Sequence, residues 1–225
     1  MAIQLRRTTE VHSNGLKCLV YGQAGAGKTT LIPTLPKVVV LSAESGLLSI
    51  ADADIPFIEI KSMADLMEAY QFLVESEEGK KFESIALDSI SEIAEVVLNA
   101  EKKIAKDPRQ AYGALAEQMG DMIRAFRDID GRNVYFSAKL EKSTDEVGRV
   151  MYAPMMPGNK VGQSLPYYFD LVMALRVEKT PEGETVRALM TESDGLWQAK
   201  RRGYNLEAWE EPDLGAIIKK IRGEK

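Results

Sequence analysis

Residues Gly22 to Thr29 read Gly-x-x-x-x-Gly-Lys-Thr, directly after the apolar run "LKCLVY" and ahead of a helix start. In that context the pattern is a phosphate cradle. Gly22 and Gly27 permit backbone angles closed to other residues, while Ala24, Gly25 and Ala26 keep bulk away from N–H groups aimed at phosphate oxygens. With Gln23 and Thr30 they complete a nucleotide-binding segment over residues 22–30. Lys28 reaches toward β- and γ-phosphates. Thr29 offers its hydroxyl to Mg²⁺, a hard ion that takes oxygen ligands. Pro33 lacks an N–H and clashes with the preceding turn, so the helix opened by Lys28 is predicted to run only about two turns. The amides that meet phosphate belong to its first turn, and early termination leaves them in place.

Two carboxylates complete the chemistry. "FESIALDSISEI" reads as a buried strand ending in Asp88, where a carboxylate holds Mg²⁺ through water. "VVVLSAESG" places Glu44 at the end of the strand that follows the cradle. If that strand neighbours the cradle strand, Glu44 faces the γ-phosphate and polarises the attacking water as a general base. The other reading of Glu44 is a helix cap or a solvent-facing side chain, and Ser42 and Ser45 are weaker candidates.

The elements that must position these groups follow from hydrophobic spacing. Apolar runs "LKCLVY", "KVVVLSA", "SIALD" and "NVYFSA" alternate with helical stripes: Leu66, Met67, Tyr70, Leu73; Ile90, Ile93, Val97, Leu98; Leu115, Met119, Met122, Phe126, Ile129. That order predicts an α/β fold with a mostly parallel sheet flanked by helices. After Ala138 glycine and proline punctuate hairpin-like segments, which predicts an antiparallel C-terminal extension. At 225 residues and 45% apolar the chain suits one domain. Its parts are a segment 1–14, a parallel core 16–138, hairpins and an antiparallel edge 139–205, and a tail or helix 206–225 with Ile217, Ile218 and Ile221 inward.

Composition narrows the class. A net charge of −5 argues against coating duplex DNA through the overall field. Residues 31–138 carry 11 basic and 19 acidic side chains, against four and one in 1–30 and seven and five in 200–225, so the ends are the anion-facing parts. The single Cys18 cannot form an internal disulfide and reads as a small buried residue, and His12 reads as a surface or capping residue. No apolar run approaches the roughly 20 residues that span a bilayer, which predicts a soluble, cytoplasmic protein without a membrane partner.

The "GKTT" cradle, the glutamate ending the next strand and the strand closing in Asp-Ser together resemble the RecA recombinase core. Among its relatives the chain is most similar to short phage proteins, the fourth Sak group of single-strand annealing proteins, over about Leu16 to Asn205. The resemblance implies a RecA-like P-loop NTPase core that hydrolyses ATP with Mg²⁺, weakly without DNA or assembly, in the cytoplasm, that of the bacterial host if the chain is phage-encoded. Glu44 takes the place of the catalytic glutamate and Asp88 that of the Mg²⁺-associated aspartate. "NVYFSAK" takes the place of the γ-phosphate-sensing strand; RecA has a glutamine there, and this chain offers Ser137 and Lys139, the latter equally readable as solvent-facing. The loop "YAPMMPGNKVGQSLP" falls where RecA-like proteins hold a mobile DNA-binding loop, so Asn159, Lys160 and Gln163 are candidate DNA contacts, with an ordinary surface loop as the alternative.

In "QAKRRGYN", Lys200 and Arg202 resemble the paired cations that such ATPases supply across a subunit interface; Arg201 could equally be one of the pair, and a plain basic turn is the alternative. The implied partners are single-stranded DNA and further copies of the chain in a head-to-tail ring or filament, with room for a single-strand-binding protein. Two other classes compete. A nucleotide-switched binding protein would turn ATP over little. A small-molecule kinase would need an arginine-rich lid, and the "STDEVGR" hairpin carries only Arg149.

Overall fold

The computed structural model describes residues 15–44 and 46–224. The apolar runs become β1 (Lys17–Gly22), β2 (Val38–Ser42), β3 (Phe57–Glu59), β4 (Ser84–Asp88) and β5 (Asn133–Thr144). The amphipathic stripes become α1 (Met63–Glu75), α2 (Ile90–Ile104) and α3 (Pro108–Arg127). Each of these helices opens on a side chain that accepts from a first-turn N–H: Ser62, Ser89 and Asp107. The stripes face inward as read, except that Met67 is about half exposed and Ala69 takes its place against the core.

Beyond Thr144 come β6 (Val150–Pro154), α4 (Asn159–Ser164), β7 (Leu171–Lys179), β8 (Thr185–Met190), β9 (Lys200–Arg201), β10 (Trp209–Glu210) and α5 (Leu214–Arg222). The sheet runs β10-β8-β7-β1-β5-β4-β2-β3, with β6 on β5 and β9 on β7. From β7 to β3 all pairings are parallel, and β6, β8, β9 and β10 add antiparallel edges. The parallel core is therefore not confined to residues 16–138, because β7 lies beside β1.

Both sheet faces are covered, which is why the central strands are apolar at every position rather than at alternate ones. Leu19, Leu41, Leu87 and Phe136 pack under α1, α2 and α3. Cys18, Val20, Val40, Ala86 and Tyr135 pack on the other face with Leu31, Ile32 and the α5 residues Ile217 and Ile218. Each such aliphatic side chain contributes roughly 1.5–3 kcal/mol on burial. Burial also pushes the Cys18 thiol well up, consistent with an inert core residue. Among the described residues no helix is long and apolar enough to cross a membrane. At the amino edge of the sheet the buried Asn133 accepts from Leu16 N at 2.9 Å and donates to Ser84 Oγ at 3.2 Å, so one amide fixes the starts of β1, β4 and β5.

Lys17 sits at that same edge and donates to the Ile129 carbonyl at 2.6 Å. Burial lowers its pKa from 10.5 to about 8, against the pull of Asp128 and Asp130. The folded chain then binds fewer protons than the unfolded one between those values, so Lys17 adds stability as pH rises through that window. The unfolding free-energy difference between wild type and Lys17→Met is expected to move toward wild type from about pH 8 to about pH 10 and to be flat below. Urea denaturation across pH checks this; a flat difference throughout removes Lys17 as the cause.

Candidate functional site

Parallel strands bring their carboxyl ends to one edge, and that edge is where ligands bind in open α/β sheets. Here β1 ends in Gly22, beside Lys139 of β5, while Asp88 at the end of β4 lies beside Ser42 of β2. The four strand ends thus place residues from 22, 42–44, 88 and 137–139 along one line.

The cradle follows β1 with the geometry its glycines imply. A Cβ on Gly22 would stand 2.9 Å from the Leu175 carbonyl. Gly27 has φ of 105°, and a Cβ there would meet Thr30 Oγ1 at 2.9 Å. The loop closes through Ala26 N on the Gln23 carbonyl at 3.2 Å, and Thr30 Oγ1 donates to the Gly27 carbonyl at 2.8 Å. Gly25 has φ of 74° with nothing within 4 Å of a Cβ, and Ala24 is exposed, so the rim is open. The short helix is a 3₁₀ helix, Thr29–Thr34, with Pro33 inside it. Its six residues make two turns of three, matching the expected length while replacing the α geometry.

Lys28 donates to the Gly22 carbonyl at 2.9 Å and the Gln23 carbonyl at 3.0 Å. Burial lowers its pKa, Asp88 and Glu44 pull it back up, and Lys139 lowers it again. Tyr135, fully buried on β5, donates its hydroxyl to the Lys28 carbonyl at 2.9 Å and so props the loop from beneath. On the other flank Arg187 of β8 donates Nε to the Ala26 carbonyl at 3.0 Å.

Asp88 is buried and its two oxygens are taken by two hydroxyls. Thr29 Oγ1 donates to Oδ2 at 2.7 Å, and Ser137 Oγ donates to Oδ1. Ser137 is therefore a partner of Asp88, on the strand between the cradle and the Asp88 strand. The peptide between Asp88 and Ser89 is cis. Thr29 and Asp88 meet as hard oxygen donors beside the cradle, which fits Mg²⁺ held by few protein ligands and several waters. Among the described residues no group of three His, Cys, Asp or Glu side chains forms a denser metal site.

Glu44 lies two residues beyond β2, and β2 does not neighbour β1: β5 and β4 stand between them. The condition set by the sequence reading thus fails. Glu44 nevertheless reaches the same edge, because β2 pairs with β4 in a register that sets Ser42 beside Asp88. Ala43 N donates to the Asp88 carbonyl at 3.1 Å, Ser42 Oγ donates to the Glu44 carbonyl at 2.7 Å, and Ser89 Oγ donates to Glu44 Oε1. Ser89 also accepts from Glu92 N at 3.4 Å as the cap of α2. Lys139 pairs with Glu92 and stands 4.0 Å from Glu44, so it is not free in solvent. Its hydrogen bond to Glu92 holds its pKa above the ordinary value.

Other candidates lie apart from this edge. Lys200 and Arg201 of β9 pair with Val172 and Leu171, the start of β7, whose register partners Leu19 and Cys18 open β1. At about 3.3 Å per residue along the strands and about 4.8 Å per strand across them, their backbones sit roughly 14–16 Å from Gly22 of their own chain. Lys200 donates to the Pro166 carbonyl at 2.7 Å, Arg201 pairs with Glu192 and Arg202 pairs with Asp170. Burial lowers the Lys200 pKa, with Arg202 adding to it.

The segment read as a mobile loop instead contains α4 and a 3₁₀ turn, Leu165–Tyr168, pinned by buried Met156, Val161 and Leu165. Gln163 is on its exposed side; the side chains of Asn159 and Lys160, like Ser45 and His12, lie outside the described residues. Of the aromatic residues there, Tyr152 is stacked on Trp197 at 4.2 Å, Tyr168 bonds Arg124, and Tyr167 is exposed.

Residues that motif reading passed over are Tyr135, Glu92 and Arg187. The Ser-x-x-Glu spacing of Ser89 and Glu92 was a visible capping signal. Tyr135 and Arg187 reach the cradle only through strand pairing, which no local pattern reports.

The family model described as AAA domain matches residues 14–203. No curated protein matches the chain.

Proposed function

Because the chain belongs to the AAA-domain family, whose members bind and hydrolyse nucleotide, we propose that it is an ATP-hydrolysing recombination protein acting on single-stranded DNA. The observation that carries the nucleotide half is the meeting of Thr29, Asp88 and Ser137 beside the cradle, with Glu44 held a few ångströms along the same edge. The DNA half is supported by the resemblance of "GKTT" and "IALDSISEI" to the short phage relatives of RecA.

In this reading the loop amides from Gln23 to Thr29 and the Lys28 ammonium hold the phosphates of ATP. Mg²⁺, held by Thr29 and through water by Asp88, would neutralise charge on the phosphate oxygens. Glu44 accepts a proton from the attacking water, which becomes bonded to phosphorus as the bond to ADP breaks: ATP and water yield ADP and phosphate. Ser89 orients the Glu44 carboxylate, and Lys139 adds positive charge beside it.

Lys200 and Arg202 are too far to act within their own chain and serve the neighbour's site in a head-to-tail ring or filament. A cation so supplied is worth about 10³–10⁵ in rate, so the isolated chain turns over slowly.

Steady-state ATP hydrolysis with and without single-stranded DNA, combined with size measurement in a non-hydrolysable ATP analogue, tests the whole reading. Stimulation with assembly is the expected outcome. Tight ATP binding without turnover under any condition would replace it with a nucleotide-switched binding protein, and phosphate transfer to a small acceptor would replace it with a kinase.

A further inference from the structure

The cradle has two flanks of opposite character. Toward β5, β4 and β2 stand Asp88, with Ser137 bonded to it, and Glu44, the groups placed at Mg²⁺ and at the attacking water in the reading above, on which this inference rests. Toward β7 and β8 stands Arg187, two strands away on the opposite side of β1. It lies opposite Val177 of β7, two residues past Leu175, whose carbonyl abuts Gly22, so it overhangs the loop rather than the strand. Its Nε binds the Ala26 carbonyl, and its Nε and Cδ come within 3.6 and 3.7 Å of a Cβ built on Gly27. The side chain is exposed, and among the described residues its two terminal nitrogens have neither hydrogen-bond nor ion-pair partner. By contrast Arg176 of β7, Arg201 of β9 and Arg202 just after it are each paired with a carboxylate.

A triphosphate whose terminal group faces Asp88 and Glu44 must run its nucleoside end out over the opposite flank. We propose that Arg187 is a nucleotide-binding residue of this chain's own site, its terminal nitrogens contacting the phosphate nearest the nucleoside. A guanidinium fixed through Nε presents two parallel donors, the geometry that suits phosphate oxygens. Such a contact serves ADP and ATP alike, and it sets affinity rather than the hydrolytic step.

Calorimetric titration of the full chain with Mg-ADP and with inorganic phosphate tests this. Arg187→Ala is expected to weaken ADP about 10- to 100-fold, the span of a lost charged hydrogen bond or two. Inorganic phosphate, a single group held by the cradle amides and Lys28 with no second phosphate to reach Arg187, is expected to bind within about threefold of wild type. Arg187→Gln keeps an N–H able to reach the Ala26 carbonyl but carries no charge, and it is expected to bind ADP as weakly as Arg187→Ala. Recovery of wild-type ADP affinity in Arg187→Gln, or an equal loss for inorganic phosphate, would reduce Arg187 to a brace for the loop and overturn the proposal. Unchanged ADP affinity in Arg187→Ala overturns it too. If Lys28→Ala binds ADP as wild type does, the fault lies instead with the assignment of the cradle.

Discussion

Glu44→Gln is expected to remove ATP turnover by about 10²- to 10⁴-fold, the usual contribution of a positioned general base, while leaving ATP affinity within about twofold. Glutamine matches the shape of glutamate and can still accept the Ser89 hydroxyl, so the strand end and the cap of α2 should be undisturbed. What disappears is the carboxylate charge, and with it the ability to take a proton from water. Lys139 stands 4.0 Å from Glu44 and is already paired with Glu92, so the lost charge leaves no buried cation stranded. Phosphate release and nucleotide binding measured on the same preparation check both halves. Unchanged turnover would take Glu44 out of the mechanism and return the base to another group on that edge.

Lys28→Ala should act at the other step. The ammonium lies over the loop, bonded to two carbonyls and able to turn toward phosphate oxygens, and charge-assisted bonds of that kind contribute about 1.5–3 kcal/mol each. Loss of affinity for ATP and ADP by about a hundredfold or more is the expected result. Nucleotide-induced stabilisation gives the readout. At a ligand concentration about 100 times the wild-type dissociation constant, wild type gains about 2.7 kcal/mol and the variant about 0.4 kcal/mol or less. Burial lowers the pKa of Lys28, so its charge is disfavoured in the folded chain, and the nucleotide-free variant is expected to unfold no earlier than wild type. Wild-type stabilisation by ATP in the variant would rule out the phosphate role.

These two variants also show how much of the site local sequence carries. Lys28 and Thr29 are placed by one continuous segment whose glycines, alanines and following proline each have a local physical reason, so loop and helix length were both readable. The 3₁₀ geometry was not, because the choice between three and 3.6 residues per turn depends on Thr30 and Thr34 bonding back to carbonyls and on α5 packing over Thr34. Glu44 was readable as a strand-end carboxylate, but the route by which it reaches the site was not. Its strand is separated from β1 by β5 and β4, and strand order is a property of long-range pairing. Met67 failed for a related reason: a stripe spaced at three and four residues says which positions share a face, while α1 turns Ala69 rather than Met67 toward the sheet.

The sequence by itself determined the cradle, the alternation of buried strands and amphipathic helices, and the carboxylate at the end of β4, because each rests on backbone freedom, side-chain volume or periodicity over neighbouring residues. Tertiary structure alone decided the insertion of β5 between β1 and β4, which puts Ser137 on Asp88 and Lys139 beside Gly22. It also decided that 159–164 is helical, that the Lys200 cluster lies at the far edge, and that Arg187 stands over Ala26. For the strand order, the Lys200 cluster and Arg187 the physical reason is one: pairing between strands far apart in the chain sets register and edge, and register decides which side chains meet; for 159–164 it is the burial of Val161 and Leu165 against the core.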